Sequence, residues 1–269
     1  MSEPVPETFR TAGAALPSVL LFDLDGTLVD SAPSILESFR LAFAACGIEP
    51  AVALDARLIG PPLRPTLTRL LGGKADAPTL DRLASAFRDA YDGGGWRATV
   101  AYPGLEAVVG RLADAGRRLF VVTNKRLTPT RLILDHFGLG PRFEAVYALD
   151  AFEPPVADKA AALAVVLARH GLAAADCVYI GDTPEDAAAA AANDLAFIAA
   201  GWGYGDPAGW RRLRRRRASG RWRSLRSCCS RRSFDCRRCL HRRRKSGAII
   251  GLQFKLLNRK EIHSRHRTC

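Results

Sequence analysis

No stretch of this 269-residue chain is apolar for the roughly 18–20 residues that a membrane-crossing helix needs, so no membrane partner is expected. The first ten residues, Met1 to Arg10, lack the apolar centre of a secretory signal and open acidic. Residues 1–17 therefore read as a frayed leader of a cytoplasmic protein. No repeat of about 20–50 residues is visible, which removes solenoids and propellers. Cysteine is scarce in the body of the chain: of seven in all, Cys46 and Cys177 precede residue 208 and the other five follow it. The two body cysteines read as buried thiols of a reducing compartment. Lysine is scarce there too, with only Lys74, Lys125 and Lys159.

The net charge of +13 first points to a nucleic-acid or membrane partner. Its location removes that inference for most of the chain. Residues 208–269 hold 22 Lys and Arg against Asp235 and Glu261, while residues 1–207 carry a net charge of −7. A mildly acidic, enzyme-like body is followed by a very basic, patternless tail, expected to be disordered. The body is Ala-rich, and GC-rich alanine codons read one base late give arginine. The tail thus reads as a frameshifted version of the fold's last strand and helix, which sequencing across codon 211 would test. If the tail is real, it would bind nucleic acid without sequence choice and with steep salt dependence. If it has replaced part of the fold, the protein would be unstable or inactive. Cys228, Cys229, Cys236, Cys239 and His241 have the residue types of a zinc site, but the apolar pattern of a zinc module is missing.

What the body does contain is organised around Val19-Leu-Leu-Phe-Asp-Leu-Asp-Gly26. Four apolar residues running into a glycine turn read as a buried parallel strand, and ligand sites of open α/β sheets lie just past such strand ends. Asp23 and Asp25, two apart, start on the same face and repel unless a cation lies between them. Further apolar runs follow at 119–124, 143–149, 177–182 and 195–198, each separated from the next by a helical stretch. Strands alternating with helices predict an α/β fold with a doubly wound parallel sheet. Residues 30–96 break the alternation. They hold three helical stretches, closed by Gly47, by Gly72-Gly73 and near Tyr91, and no obvious strand. They read as a helical cap inserted into a core made of 18–29 and 97–207.

Phe22-Asp-Leu-Asp-Gly-Thr-Leu-Val-Asp-Ser-Ala-Pro33 resembles the first motif of the haloacid dehalogenase (HAD) superfamily of phosphohydrolases, most of all its phosphoglycolate phosphatase-like branch. Thr123-Asn124, Asp158-Lys159 and Gly181-Asp182-Thr-Pro-Glu-Asp186 resemble the remaining motifs, in the same order. The resemblance implies a Rossmann-like core and a Mg²⁺-dependent phosphatase acting on a small phosphorylated metabolite, with 2-phosphoglycolate the best guess. Asp23 would be the nucleophile that forms an aspartyl-phosphate. Asp25 would protonate the leaving alkoxide and later deprotonate the attacking water. Asp23 and Asp182, with the backbone carbonyl of Asp25, would hold Mg²⁺. Thr123 and Asn124 would bind the transferring phosphate, and Lys159 would screen the charge of Asp23 and the phosphate.

Several residues keep two readings. Asp186 is either a supporting acid or a helix-start acid favoured by the dipole, and Glu185 reads as the latter. Lys125 reads as a solvated charge at a helix start. Arg64, in a cap loop that resembles a substrate-facing loop of the family, either meets a substrate carboxylate or is simply exposed. Lys74 lacks the rest of a phosphate-binding loop. Trp96, Trp202 and the histidines read as packing or surface. A dehalogenase would not need Asp25, and a phosphonate hydrolase would need a cap lysine, for which only Lys74 is available. A sugar-phosphate mutase would use the same core residues, and product analysis would separate it from a phosphatase. Oligomeric state is not legible.

Overall fold

The computed structural model describes residues 17–206 and 208–211. The leader expected over 1–17, apart from Pro17, and the Arg-rich tail from 212 onward, including the Cys228–His241 cluster, lie outside the described residues. Ala208–Arg211 form one helical turn, and Trp210 packs on Phe197 with ring centroids 6.0 Å apart.

The elements run β1 (Val19–Phe22), β2 (Val29–Asp30), α1 (Ala32–Cys46), α2 (Leu63–Leu70), α3 (Ala77–Asp92), β3 (Val100–Ala101), α4 (Leu105–Asp114), β4 (Arg118–Thr123), α5 (Leu127–His136), β5 (Ala145–Ala148), α6 (Lys159–Arg169), β6 (Cys177–Gly181), α7 (Pro184–Ala192) and β7 (Ala196–Ala199). The five apolar runs form one parallel sheet of order β5-β4-β1-β6-β7. The fold is therefore the expected doubly wound α/β core.

The period of two along each strand divides the interior between the two sheet faces. Leu20, Phe22, Leu119, Val121, Val178 and Ile180 belong to one buried cluster, together with Leu105 and Val109 of α4 and Ile133 and Leu134 of α5. Val19, Leu21, Phe120, Val122, Cys177 and Tyr179 belong to the other, with Leu163 and Val166 of α6 and Ala189 and Ala190 of α7. β1 is covered on both faces and both edges, so the residue that follows it is held in a fixed place. Cys177 is buried as expected, whereas Cys46 at the end of α1 is only half-buried.

Helices α1 to α3 lie between β2 and β3. Phe39 and Phe43 of α1, Leu67 and Leu70 of α2, and Leu83, Phe87 and Tyr91 of α3 are buried. They share one cluster with the β1 face through Leu24, Leu28 and Val29. Fully burying each such side chain contributes about 1.5–3 kcal/mol, so the apolar stripe of α3 is what secures this region. Between Ser31 and Thr99 the ordered elements are all helical, in line with the sequence pattern. The chain enters and leaves this region through a short antiparallel pair, Val29↔Ala101 and Asp30↔Val100, whose two-residue strands show no alternation.

Helix starts carry much of the positioning. The Asp158 carboxylate accepts from Ala161 N at 2.9 Å and caps α6. Thr183 and Asp186 form a reciprocal capping box on α7 with Pro184 in its first turn. Both caps lie at the end of the sheet where β1, β4 and β6 stop.

Candidate active site

Three neighbouring strands deliver the central side chains. In the register Phe22 lies beside Val121 on one side and Ile180 on the other. Asp23, just past β1, Thr123, the last residue of β4, and Asp182, just past β6, therefore emerge at one edge. Asp23 N donates to Ile180 O at 2.9 Å, which ties the end of β1 to β6. Asp23, Asp25, Thr123, Lys159, Asp182 and Asp186 are all buried.

The turn after Asp23 is tight. Gly26 N donates to Val29 O at 2.8 Å, and Leu28 N to Leu24 O at 2.9 Å. Gly26 has φ +79°, and a Cβ there would fall 2.2 Å from Asp182 Oδ2. Only glycine supplies both the backbone conformation and the space.

Two ammonium groups partition the carboxylates. Lys159 Nζ lies 3.0 Å from Asp23 Oδ1 and 2.6 Å from Asp186 Oδ1. Lys125 Nζ lies 3.1 and 3.2 Å from the two oxygens of Asp25. Burial opposes the charge on Lys159, but Asp186 and Asp23 outweigh it and hold its pKa well above the ordinary range. Burial likewise opposes the charge on Lys125, and Asp25 reverses the effect. Burial pushes Asp23 up to about 6; Lys159 pulls it down, while Asp186 and Asp25 push it up. Asp182 is pushed up to about 8, by burial first and Asp23 next, against the pull of a hydrogen bond from Tyr204 N.

Oxygens of Asp23, Asp182 and Asp186 come within 4.8 Å of one another. Asp186 is already committed: its Oδ2 accepts from Thr183 N at 3.0 Å and Thr183 Oγ1 at 2.7 Å, and its Oδ1 accepts from Lys159. Asp182 Oδ1 is buried without a hydrogen-bond donor among the described residues. An orphaned, buried carboxylate oxygen beside a second carboxylate fits a hard divalent cation. By side-chain geometry Asp186 joins Asp23 and Asp182, while the Asp25 side chain is turned to Lys125. Asp186 thus serves its helix cap and at the same time orients Lys159.

The β4–α5 loop departs most from expectation. Lys125 is no solvated charge, because its side chain is 6 % exposed and its Nζ lies 4.5 Å from the centre of the Tyr91 ring. Asn124 Nδ2 donates to Gly60 O at 2.8 Å, so its side chain reaches the helical region and only its backbone remains at the strand tip. Arg64 pairs with Asp81 of α3, with both side chains exposed, and Lys74 is exposed. Trp96 is buried, 5.8 Å from the His136 ring.

A second surprise is the loop Gly201–Gly205. Tyr204 N donates to Asp182 Oδ2 at 2.6 Å, while its hydroxyl donates to Asp30 Oδ1 at 2.7 Å and accepts from Ser31 N at 2.8 Å and Ala32 N at 3.1 Å. Trp202 Nε1 donates to Thr27 O at 3.1 Å. The loop ties Asp182 to the start of α1. The available signal was glycine alternating with aromatic residues: at Gly203 a Cβ would lie 2.3 Å from Gly26 O, so the loop approaches closely only without one.

Comparison with known proteins agrees with this geometry. The family model of haloacid dehalogenase-like hydrolases matches residues 20–200. The tyrosine-protein kinase PtkA of Mycobacterium tuberculosis is 35 % identical over 191 residues, which are 70 % of this chain and 64 % of that protein. The chain thus spans less than two thirds of that relative's length. A 5′-nucleotidase of Pseudomonas aeruginosa is 32 % identical over 73 % of this chain and 87 % of its own. A phosphoglycolate phosphatase of Cereibacter sphaeroides is 34 % identical over 69 % of this chain and 85 % of its own. Among solved structures, a predicted phosphatase from Clostridium acetobutylicum superposes with a TM-score of 0.65 at 28 % identity, covering 74 % of this chain and 91 % of that one.

Proposed function

The chain belongs to the haloacid dehalogenase-like hydrolases, and from that premise we propose that it is a Mg²⁺-dependent phosphatase of small phosphorylated metabolites, 2-phosphoglycolate first among them. The observation that carries the proposal is the pairing of two buried carboxylates with two separate ammonium groups, Asp23 with Lys159 and Asp25 with Lys125, at one sheet edge. One carboxylate is thereby held for attack and the other for proton transfer.

Asp23 attacks phosphorus, the bond to the leaving oxygen breaks, and Asp25 gives that oxygen its proton. Asp25 then takes a proton from a water that attacks the aspartyl-phosphate, and the departing phosphate frees Asp23. Thr123 and the backbone of Asn124 cradle the phosphoryl group, and Lys159 neutralises charge as Asp23 and the phosphate approach. Mg²⁺, held by Asp23 and Asp182 with the Asp25 carbonyl, would supply charge neutralisation on the phosphoryl oxygens. The helical region between β2 and β3 acts as a cap that excludes water and chooses the substrate.

The substrate reading draws on the similarity to phosphoglycolate phosphatases. The 5′-nucleotidase relative keeps nucleoside monophosphates in view. The test is phosphate release from a panel of 2-phosphoglycolate, nucleoside 5′-monophosphates and sugar phosphates, with Mg²⁺ or with EDTA. ATP with a tyrosine peptide forms the arm that would reveal phosphotransfer. Release from 2-phosphoglycolate that needs Mg²⁺ and vanishes in Asp23→Asn supports the proposal. Release unaffected by Asp23→Asn would overturn it.

A further inference from the structure

Three consecutive side chains of the β4–α5 loop reach the cap. Asn124 holds Gly60 O, Lys125 lies on the Tyr91 ring, and Arg126 Nη2 pairs with Asp92 Oδ1 at 2.5 Å. The middle one alone turns back into the site, where it touches both oxygens of Asp25. A buried ammonium is costly to keep, and the mechanism above uses this one only to hold Asp25.

Resting on the phosphatase reading, we propose that Lys125 determines specificity: it selects phosphate monoesters whose leaving group carries a carboxylate next to the ester oxygen. Asp25 is the group that meets the leaving oxygen, and Lys125 Nζ is within hydrogen-bond distance of Asp25. A carboxylate one carbon away from that oxygen places its own oxygens roughly 3–4 Å further on, within the ammonium's reach. There it forms a charge-assisted hydrogen bond that a methyl group or a neutral hydroxyl cannot match.

Each nearby cation has its anion, and that of Lys125 is Asp25, the carboxylate that meets the leaving oxygen. Lys159 is shared by Asp23 and Asp186, Arg126 pairs with Asp92, and Arg64 with Asp81. Lys125 is held in place from the far side by the Tyr91 ring. Because Tyr91 belongs to the last turn of α3, the selector is built from core and cap together.

The test uses the full chain with Mg²⁺ and compares kcat/KM for 2-phosphoglycolate and ethyl phosphate, which differ only by a methyl in place of the carboxylate. p-Nitrophenyl phosphate reports separately whether the protein is a phosphatase. The wild type is expected to favour 2-phosphoglycolate by about 10- to 100-fold, the range of one charged hydrogen bond. Lys125→Met should bring the ratio to within about threefold of unity, and Lys125→Arg should retain a preference. If Lys125→Met does not fold, as judged by circular dichroism, Lys125→Gln is expected to give the same ratio. In an Asp23→Asn background, where turnover is blocked, adding Lys125→Met should weaken calorimetric binding of 2-phosphoglycolate about tenfold and leave ethyl phosphate unchanged.

Equal losses on both substrates, with the ratio intact, would mean that Lys125 only positions Asp25, and would overturn the proposal. So would a wild type that does not prefer 2-phosphoglycolate while still cleaving p-nitrophenyl phosphate. Failure to cleave any of the three esters would instead remove the phosphatase reading itself.

Discussion

The two ends of the site use the same residue types in different proportions. At the nucleophile end three carboxylates, Asp23, Asp182 and Asp186, gather near Lys159, all from the core. At the other end a single carboxylate, Asp25, faces Lys125, and that pair leans on Tyr91 of the cap. A surplus of buried negative charge suits the divalent cation proposed for the first end. The second end is balanced in itself, and its environment depends on how the cap sits. On the proposed reading, chemistry common to every substrate belongs to the core end and discrimination among substrates to the cap-facing end.

The largest effect should come from breaking the core end. Asp23→Asn is expected to lower kcat by about 10³-fold or more, as loss of a nucleophile does elsewhere, with Tm unchanged or raised because a buried, repelled carboxylate is gone. Initial rates and a thermal melt measure both. Asp186→Ala should act in the opposite sense on stability. It removes the carboxylate that takes Lys159 Nζ and closes the α7 cap, leaving a buried ammonium short of a partner at about 3–5 kcal/mol. At about 2–4 °C per kcal/mol for a domain of this size, Tm should drop by about 6 °C or more.

A third test concerns pH. Folded, Asp23 lies near 6 and Asp182 near 8, against an ordinary 3.8. Both pKa values are raised, so between those limits and about pH 4 the metal-free folded state binds more protons than the unfolded chain, and stability falls as pH rises. The melting temperature in EDTA, taken as wild type minus Asp182→Asn, should therefore decline from pH 5 to 8. Mg²⁺ should flatten the decline and release protons on binding near pH 6.5, seen by calorimetry in buffers of different ionisation enthalpy. A difference that rises with pH would contradict the charge surplus of the core end.

The core end was legible in the sequence because its acids follow apolar runs that can only be buried strands, and the Gly after Asp25 marks a turn that no other residue fits. The cap-facing end was not. A lone lysine after Thr123-Asn124 carries no mark of burial, since the ring that covers it comes from Tyr91, thirty-odd positions earlier. Tyr204 escaped for the same reason: its hydroxyl reaches Asp30 across more than 170 residues. Local pattern reveals which elements form and where their ends carry acids. It does not reveal which distant side chain closes over them, and the two-residue strands β2 and β3 are too short to leave any pattern.

A smaller effect is expected from Asn124→Ala. Its side chain holds Gly60 O at 2.8 Å, a neutral hydrogen bond worth about 0.5–1.5 kcal/mol, and its backbone stays at the strand tip. The expected result is a KM for 2-phosphoglycolate raised by a few fold with kcat nearly unchanged, because the cap is less firmly seated while the core end is intact. An equal fall in kcat would place Asn124's side chain in the chemistry and blur the division between the two ends.

The smallest effect serves as the control for charge that is not buried. Arg118 Nη2 pairs with Glu144 Oε1 at 2.7 Å, with the side chains 41 % and 38 % exposed. The Arg118 hydrogen bond holds the Glu144 carboxyl below its ordinary 4.5. A lowered carboxyl stabilises the fold above the unfolded value, and that stability is lost as pH falls through the folded one. Solvent screens an exposed pair, so Arg118→Ala should cost about 0.2–1 kcal/mol at pH 7 and less still in high salt. The Tm difference from wild type should narrow as pH falls through the lowered folded value and close once Glu144 is protonated in both states. From pH 5 to 8, where the surface pair holds steady, the wild type minus Asp182→Asn difference declines instead. Opposite slopes from two carboxylates of one protein would separate charge buried for a cation from charge paired in water.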